Sequence, residues 1–464
     1  MFEFLICLGA LAFLIFMAYR GHSVILFAPV AALGAVLLTD PYAVGPVYTS
    51  YFMTKMVVFV QLYFPVFLLG AIFGKVIELS GFAKSIVKAV IQMLGPKRAM
   101  VSIVTVCALL TYGGVSLFVV VFAVYPFAAE AFRIGALPKR LIPGTIALGA
   151  FTFTMDSLPG TPQIQNIIPT TFFKTTGMAA PILGTLGALF ILFIGMAFLN
   201  WRRKSAARAG EGYGTGHINE PEPINLDQLA NPIVAVLPLV AVGVGNLIFT
   251  NILPKLYGES ASVQLTEQAK PIVQPVARLV GIWAVEAALL VGILLVVLFS
   301  FKTLKGKFAD GSRSAIAGAL LASLNTASEY GFGSVISALP GFLLVRDALQ
   351  YVPNPLVKEA VSVSTLAGIT GSASGGMSIA LAAMSDQFIA AANAAHIPME
   401  VLHRVAAMAS GGMDTLPHNG AVITLLAVTG LTHRQSYKDI FAITCIKTIA
   451  VFFVILVYYV TGLV

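Results

Sequence analysis

The stretch Met155-Asp156-Ser157-Leu158-Pro159 returns 258 positions later as Met413-Asp414-Thr415-Leu416-Pro417, with only serine and threonine exchanged. Both copies stand inside apolar sequence, where an acidic side chain is costly and marks a functional site by default. Each copy also carries a proline, which removes a helical hydrogen bond and breaks a helix in its interior. A broken, ionisable membrane helix that occurs twice is the pattern of substrate sites formed between internal repeats.

The surrounding chain fits that pattern. Hydrophobic residues make up 58% of the 464 and charged residues 10%, with a mean hydropathy of +0.91; soluble domains carry about 25% charged residues. The expected class is an all-α polytopic membrane protein with room for about ten spans of roughly 20 residues. The net charge of +8 does not mean nucleic acid, because Lys and Arg cluster in short loops between apolar segments, as positive-inside topology requires. The implied partner is the lipid bilayer. Cys7, Cys107 and Cys445 stand alone in apolar stretches, without ligand spacing for a metal, so no metal or cofactor is expected. No zinc-protease, hydrolase or lipid-phosphate motif is present, which argues against an enzyme. The apolar run from Phe2 to Tyr19 follows Glu3 rather than a basic region and reads as a retained first span.

Apolar segments fall at about 2–19, 22–39, 54–80, 99–132, 140–176 and 179–200, and again at about 231–253, 271–301, 313–343, 355–395, 398–431 and 439–463. Between them lies a polar stretch with Gly210, Gly212, Gly214 and Gly216, read as a flexible cytoplasmic linker. The expected organisation is therefore residues 1–200 as one repeat, 201–230 as linker and 231–464 as the second repeat. Two further blocks extend the repeat: Phe73-Gly74 matches Phe332-Gly333 at an offset of 259, and Gly113-Gly114-Val115-Ser116 matches Gly375-Gly376-Met377-Ser378 at 262.

Charge placement orients the halves. If Arg20, Lys97-Arg98, Arg133 to Arg140 and Arg202-Arg203-Lys204 share the cytoplasmic face, segment 99–132 must enter and leave on that face as a re-entrant hairpin. Lys302, Lys305, Lys307, Arg313, Arg434 and Lys438 then place segment 355–395 as a hairpin from the opposite face. The expectation is two inverted-topology repeats, each with about five spanning helices, one hairpin and one broken helix, with both termini periplasmic.

Exposed backbone is tolerated at membrane depth only when buried in protein or lining a cavity, so the four interruptions should meet near the midplane. The expected substrate contacts are Gly114, Ser116, Thr161, Gln163, Asn166, Ser374, Gly376, Ser378, Thr415 and Asn419. The Gly-Gly-x-Ser elements would give two half-helix N-termini that favour an anion, although small residues there equally suit close helix packing. Asp156, Asp414, Glu329 and His418 are the candidates for proton coupling, with helix capping as the other reading of the two aspartates. No Lys or Arg falls at the predicted centre of either broken helix or at either hairpin tip, so an anion would be held by dipoles and neutral donors rather than by an ion pair.

At Tyr112 to Ser116, Met155 to Thr170, Asn325 to Gly333, Ser372 to Ser378 and Met413 to Asn419, over nearly its whole length, the chain resembles the gluconate permease (GntP) family of the ion transporter superfamily. The block Asp156-Ser157-Leu158-Pro159-Gly160-Thr161-Pro162-Gln163-Ile164-Gln165-Asn166 carries most of that likeness. The resemblance implies a bacterial inner-membrane homodimer that couples uptake of gluconate, or of relatives such as 3-hydroxybutyrate, to protons by an elevator-like movement. Gly-Gly-x-Ser stands where the sodium-coupled relatives have a Ser-Asn-Thr tip, which makes sodium the less expected ion. A sodium-coupled carboxylate symporter or a cation/proton antiporter is the alternative.

Overall fold

The computed structural model describes residues 2–20, 22–95, 98–115, 117–218, 220–221, 230–266, 270–342, 352–417 and 419–464. The first half contains α1 (Phe2–Tyr19), α2 (Val24–Thr39), α3 (Met53–Leu79), α4 (Phe82–Leu94), α5 (Ala99–Tyr112) and α6 (Leu117–Ile134). It ends with α7 (Ile142–Ala150), a single turn at Phe153–Asp156, α8 (Ile164–Phe173) and α9 (Pro181–Arg208). The second half runs α10 (Pro232–Tyr257), α11 (Val276–Leu304), α12 (Phe308–Ala338), α13 (Pro355–Thr370), α14 (Ala373–Ala394), α15 (Met399–Gly411), a 3-10 turn at Gly412–Thr415, α16 (Gly420–Thr429) and α17 (His433–Thr461). The protein is a polytopic all-helical membrane protein. Side chains such as Phe193, Ile233, Leu294 and Leu298 stay exposed on its outer surface, as lipid contact requires.

Among the described residues, the helices of the two halves other than α4 correspond in order and in opposite senses. α3 packs on α12, while α2 packs on α12 and α11 on α3, so the partners cross over between halves. The equivalent helices α9 and α17 lie antiparallel. The backbone N–H of Ile182, at the start of α9, donates to the carbonyl of Val464, beyond the end of α17 (3.2 Å), while Arg202 near the other end pairs with Asp439. Antiparallel packing of equivalent helices is what an inverted repeat demands. Backbone irregularities repeat too: Ala136 and His396 both take positive φ before the prolines that open α7 and α15.

Both hairpins form as expected, but their turns are not equivalent glycine pairs. α5 ends at Gly113, and Gly114 turns with φ +93. In the second half the turn is Gly371, with φ +66, followed by Ser372, which caps α14 by accepting from the N–H of Gly375. Gly375 and Gly376 lie within α14, so the offset of 262 aligned a turn with a helix; Gly113 and Gly371 restore 258. A Cβ on Gly376 would stand 2.1 Å from Cα of Ala367 in α13, so this glycine lets the two arms touch.

Three elements depart from expectation. α9 continues to Arg208, eight residues into the segment read as linker. A two-stranded sheet, β1 (Ser260–Val263) and β2 (Ile272–Pro275), joins α10 to α11. α4 was missed because it is amphipathic rather than uniformly apolar: Phe82, Ile86, Val87 and Val90 are buried while Lys84 is exposed.

Candidate functional site

The two breaks open where proline and glycine interrupt the helical ladder, and each is tied to its own hairpin by one side-chain amide. Gln163, at the N-cap of α8, donates through Nε2 to the carbonyls of Thr111 (2.7 Å) and Val115 (3.3 Å) at the first tip. Asn419, at the N-cap of α16, donates through Nδ2 to Gly371 O (2.8 Å) at the second and accepts from the N–H of Ala421 (2.7 Å). Tyr112 adds a bond from its hydroxyl to Pro159 O (2.8 Å), and Asn246 of α10 donates to Gly160 O (2.9 Å). Gly114 packs against Pro162, where an added Cβ would meet Pro162 Cγ at 3.1 Å. The tips and breaks therefore converge.

Charge sits between them. Asp156 is 0% exposed and forms an ion pair of 2.5 Å with Lys447 of α17, also 0% exposed. Lys447 Nζ also donates to Phe151 O (3.0 Å), a carbonyl at the broken end of α7. Gly411 makes room for the pair, since a Cβ there would fall 1.7 Å from Asp156 Oδ2. Arg404 of α15, 0% exposed, donates to Asp156 O (2.7 Å), Asn166 Oδ1 (3.0 Å) and Ala179 O (2.6 Å). Neither cation stands at a hairpin tip or at a helix break, but both reach the breaks from neighbouring helical segments. Membrane burial of two cations is tolerated here because each finds a carboxylate or carbonyls within hydrogen-bonding reach.

The second break is built differently. Asp414 accepts from the backbone N–H of Ala373 (3.2 Å), from Asn419 Nδ2 (3.3 Å) and from Gln165 Nε2 (3.0 Å). It therefore caps the first turn of α14 from across the fold, so a carboxylate of the chain already uses that helix N-terminus. Glu329 of α12 lies over the same turn: a Cβ on Gly375 would touch its Oε2. That oxygen, Thr161 Oγ1 and Gln165 Oε1 are buried without a hydrogen-bond partner among the described residues.

The remaining expected residues fall as follows. Asn166 Nδ2 donates to Thr161 O and Gly177 O (both 2.9 Å), and its Oδ1 meets Arg404 and His403 Nε2. Ser378 donates to Ser374 O of its own helix (2.7 Å), and Ser374 faces Thr326 (3.4 Å). Thr415 shares a hydrogen bond with Thr444 of α17 (2.6 Å). Ser116 and His418 lie outside the described residues. Sequence reasoning missed Lys447, Arg404, His403, Asn246 and Glu359. Glu359 of α13 is 0% exposed, with neither carboxylate oxygen bonded among the described residues. The signal for Lys447 was present, because it stands eight residues inside an apolar segment.

Outside the bilayer segments, part of the presumed flexible linker is docked. Glu211 accepts from Arg140 Nε and Nη2 (both 2.6 Å), and Glu220 accepts from Lys139 (2.8 Å) and Arg133 (2.5 Å). Arg140 also pairs with Asp439 (3.2 Å). The Arg140 hydrogen bonds hold the Glu211 carboxyl below its ordinary value.

Inverted halves, paired hairpins and two helix breaks around buried charges define a polytopic membrane transporter. The chain is 57% identical over 474 residues to the uncharacterized transporter YxjC of Bacillus subtilis (strain 168), covering 100% of both, and it belongs to that transporter's family. No family model matches. Among solved structures it is similar to the YdaH transporter of Alcanivorax borkumensis (TM-score 0.48, 14% identity, 88% of each chain). It is also similar to Neisseria gonorrhoeae MtrF, described as illuminating a class of antimetabolite efflux pumps (TM-score 0.45, 12% identity, 87% of this chain and 82% of that one).

Proposed function

We propose that the chain is a proton-coupled symporter of a small hydroxy-monocarboxylate, of the 3-hydroxybutyrate or gluconate kind, acting as a homodimer by elevator-type alternating access. The observation that carries the coupling ion is Lys447. Its ammonium lies between Asp156 Oδ2 and the freed carbonyl of Phe151, the kind of carboxylate-plus-carbonyl position that holds a metal cation in broken-helix transporters. A cation supplied by the chain leaves that position closed to sodium, and a proton on a carboxylate becomes the coupling ion.

The charges give the reason for symport. With Glu329 in its neutral form, Asp156 and Asp414 stand against Arg404 and Lys447, two acids against two bases, and the Lys447 charge also bears on Asp414. Protonating one acid leaves a single positive charge in excess, which a substrate carboxylate neutralises. Proton and anion then cross without a net buried charge. Thr161 Oγ1 and Gln165 Oε1 supply contacts for substrate hydroxyls, since a buried polar atom left unpaired is costly and gains from a partner. The likeness to gluconate permeases supports the same substrate class.

The test is uptake into proteoliposomes. An inward pH gradient should drive accumulation of labelled 3-hydroxybutyrate or gluconate without sodium. Uptake that requires sodium and ignores pH overturns the proposal in favour of a sodium-coupled symporter.

A further inference from the structure

On the basic face, the start of α5 and the end of α9 leave a groove of about 380 Å³ between them. Arg98 and Arg203 stand on its rim, and Met100, Val101, Leu137, Met196 and Ala197 form its walls with Asn200. Arg203 is aimed by its own helix: Nε and Nη2 both donate to Asn200 Oδ1 (3.0 and 2.8 Å). Among the described residues neither arginine forms an ion pair with a carboxylate. This sets them apart from Arg133, Arg140 and Arg202 on the same face, each of which has one. Arg98 is also the N-cap of α5, and its side chain makes no capping hydrogen bond to that helix.

We infer that this groove binds the headgroup of an anionic phospholipid. Two guanidiniums without a carboxylate partner among the described residues, beside a helix N-terminus, favour a phosphate. The apolar walls continue from that charge toward the hydrocarbon, as a glycerophospholipid requires and a free ion does not. Trp201, 60% exposed two residues before Arg203, marks the depth as the headgroup interface, where tryptophan concentrates. Basic pockets between membrane helices on this side are a recurrent lipid-recognition geometry. The groove lies away from the charged cluster at the breaks, so the inference does not depend on the substrate. It joins the first hairpin to α9, and the bound lipid would bridge them.

The experiment uses the full chain purified in neutral detergent. Native mass spectrometry should show retained phosphatidylglycerol or cardiolipin, and added phosphatidylglycerol should raise the melting temperature more than equal phosphatidylcholine. The double variant Arg98→Gln/Arg203→Gln should lose that difference and retain fewer anionic lipids. A control with the same charge change at exposed Lys305 and Arg313 should keep both. Because both arginines lie at the surface, helical content by circular dichroism should match wild type. Equal effects of the two lipids, an undiminished response in the double variant, or equal stabilisation by inorganic phosphate overturns the inference. So does efficient Val101→Cys cross-linking between copies that lipid does not compete with, which would give the groove to a second copy.

Discussion

Lys447 holds the charge balance of the breaks, because its ammonium is the direct partner of Asp156 and is shut away from water. Removing it with Lys447→Met strands a buried carboxylate, a change that typically costs about 3 to 5 kcal/mol. Adding Asp156→Asn removes the orphaned charge and should return much of that loss, since a buried pair is often replaceable by neutral groups. Thermal unfolding of the single and double variants checks this; a double variant as unstable as the single one would mean that the pair does not act as a unit. Both variants should be transport-defective, which separates stability from activity. Asp156 and Asp414 were legible in the sequence because they repeat. Lys447 showed only as a lone charge inside an apolar segment, and neither it nor Arg404 repeats: position 189, opposite Lys447 at the same offset, is a leucine. The charge that balances a repeated motif thus came from an unrepeated position on a repeated helix, and only three-dimensional packing shows which acid it meets.

Among the elements, the second hairpin shows how glycine can mislead. Its arms meet at Gly376, where a Cβ would fall within 2.2 Å of the Ala367 backbone nitrogen. Gly376→Ala should therefore destabilise by about 1 to 3 kcal/mol, the usual cost of overpacking. Gly420→Ala is the matched control, since nothing lies within 4 Å of its Cβ position and alanine suits a helix better by up to about 1 kcal/mol. A fall in melting temperature for Gly420→Ala but not for Gly376→Ala would contradict the assignment. Segment order, both hairpins and both breaks were readable from apolar runs and prolines. The turn of the second hairpin was not, because a helix that packs closely and a chain that turns select the same residue for different reasons. The amphipathic α4 escaped for the opposite reason: its lysines hid an apolar face of normal helical period.

Across the whole molecule, the docked linker segment binds the corner between α6 and α7 through acids that must be ionised. Because Arg140 lowers the Glu211 pKa in the docked state, docking is favoured wherever that carboxyl is charged. Its contribution is complete above the ordinary glutamate value of about 4.3 and disappears as pH falls through the lowered docked value. Glu211→Gln should release the segment at neutral pH, read as faster proteolysis between 209 and 221. Unchanged cleavage would mean that Glu220, with its contacts to Lys139 and Arg133, suffices alone. The same docking has a mechanical consequence. From Glu220, held by Lys139 and Arg133, to Asn231, the N-cap of α10, the chain has eleven peptide steps. Eleven peptide steps reach at most roughly 40 Å when fully extended, at about 3.3 to 3.6 Å each. Covalent reach alone therefore caps how far the start of α10 can travel from the corner between α6 and α7, and unfastening Glu211 and Glu220 would raise that cap.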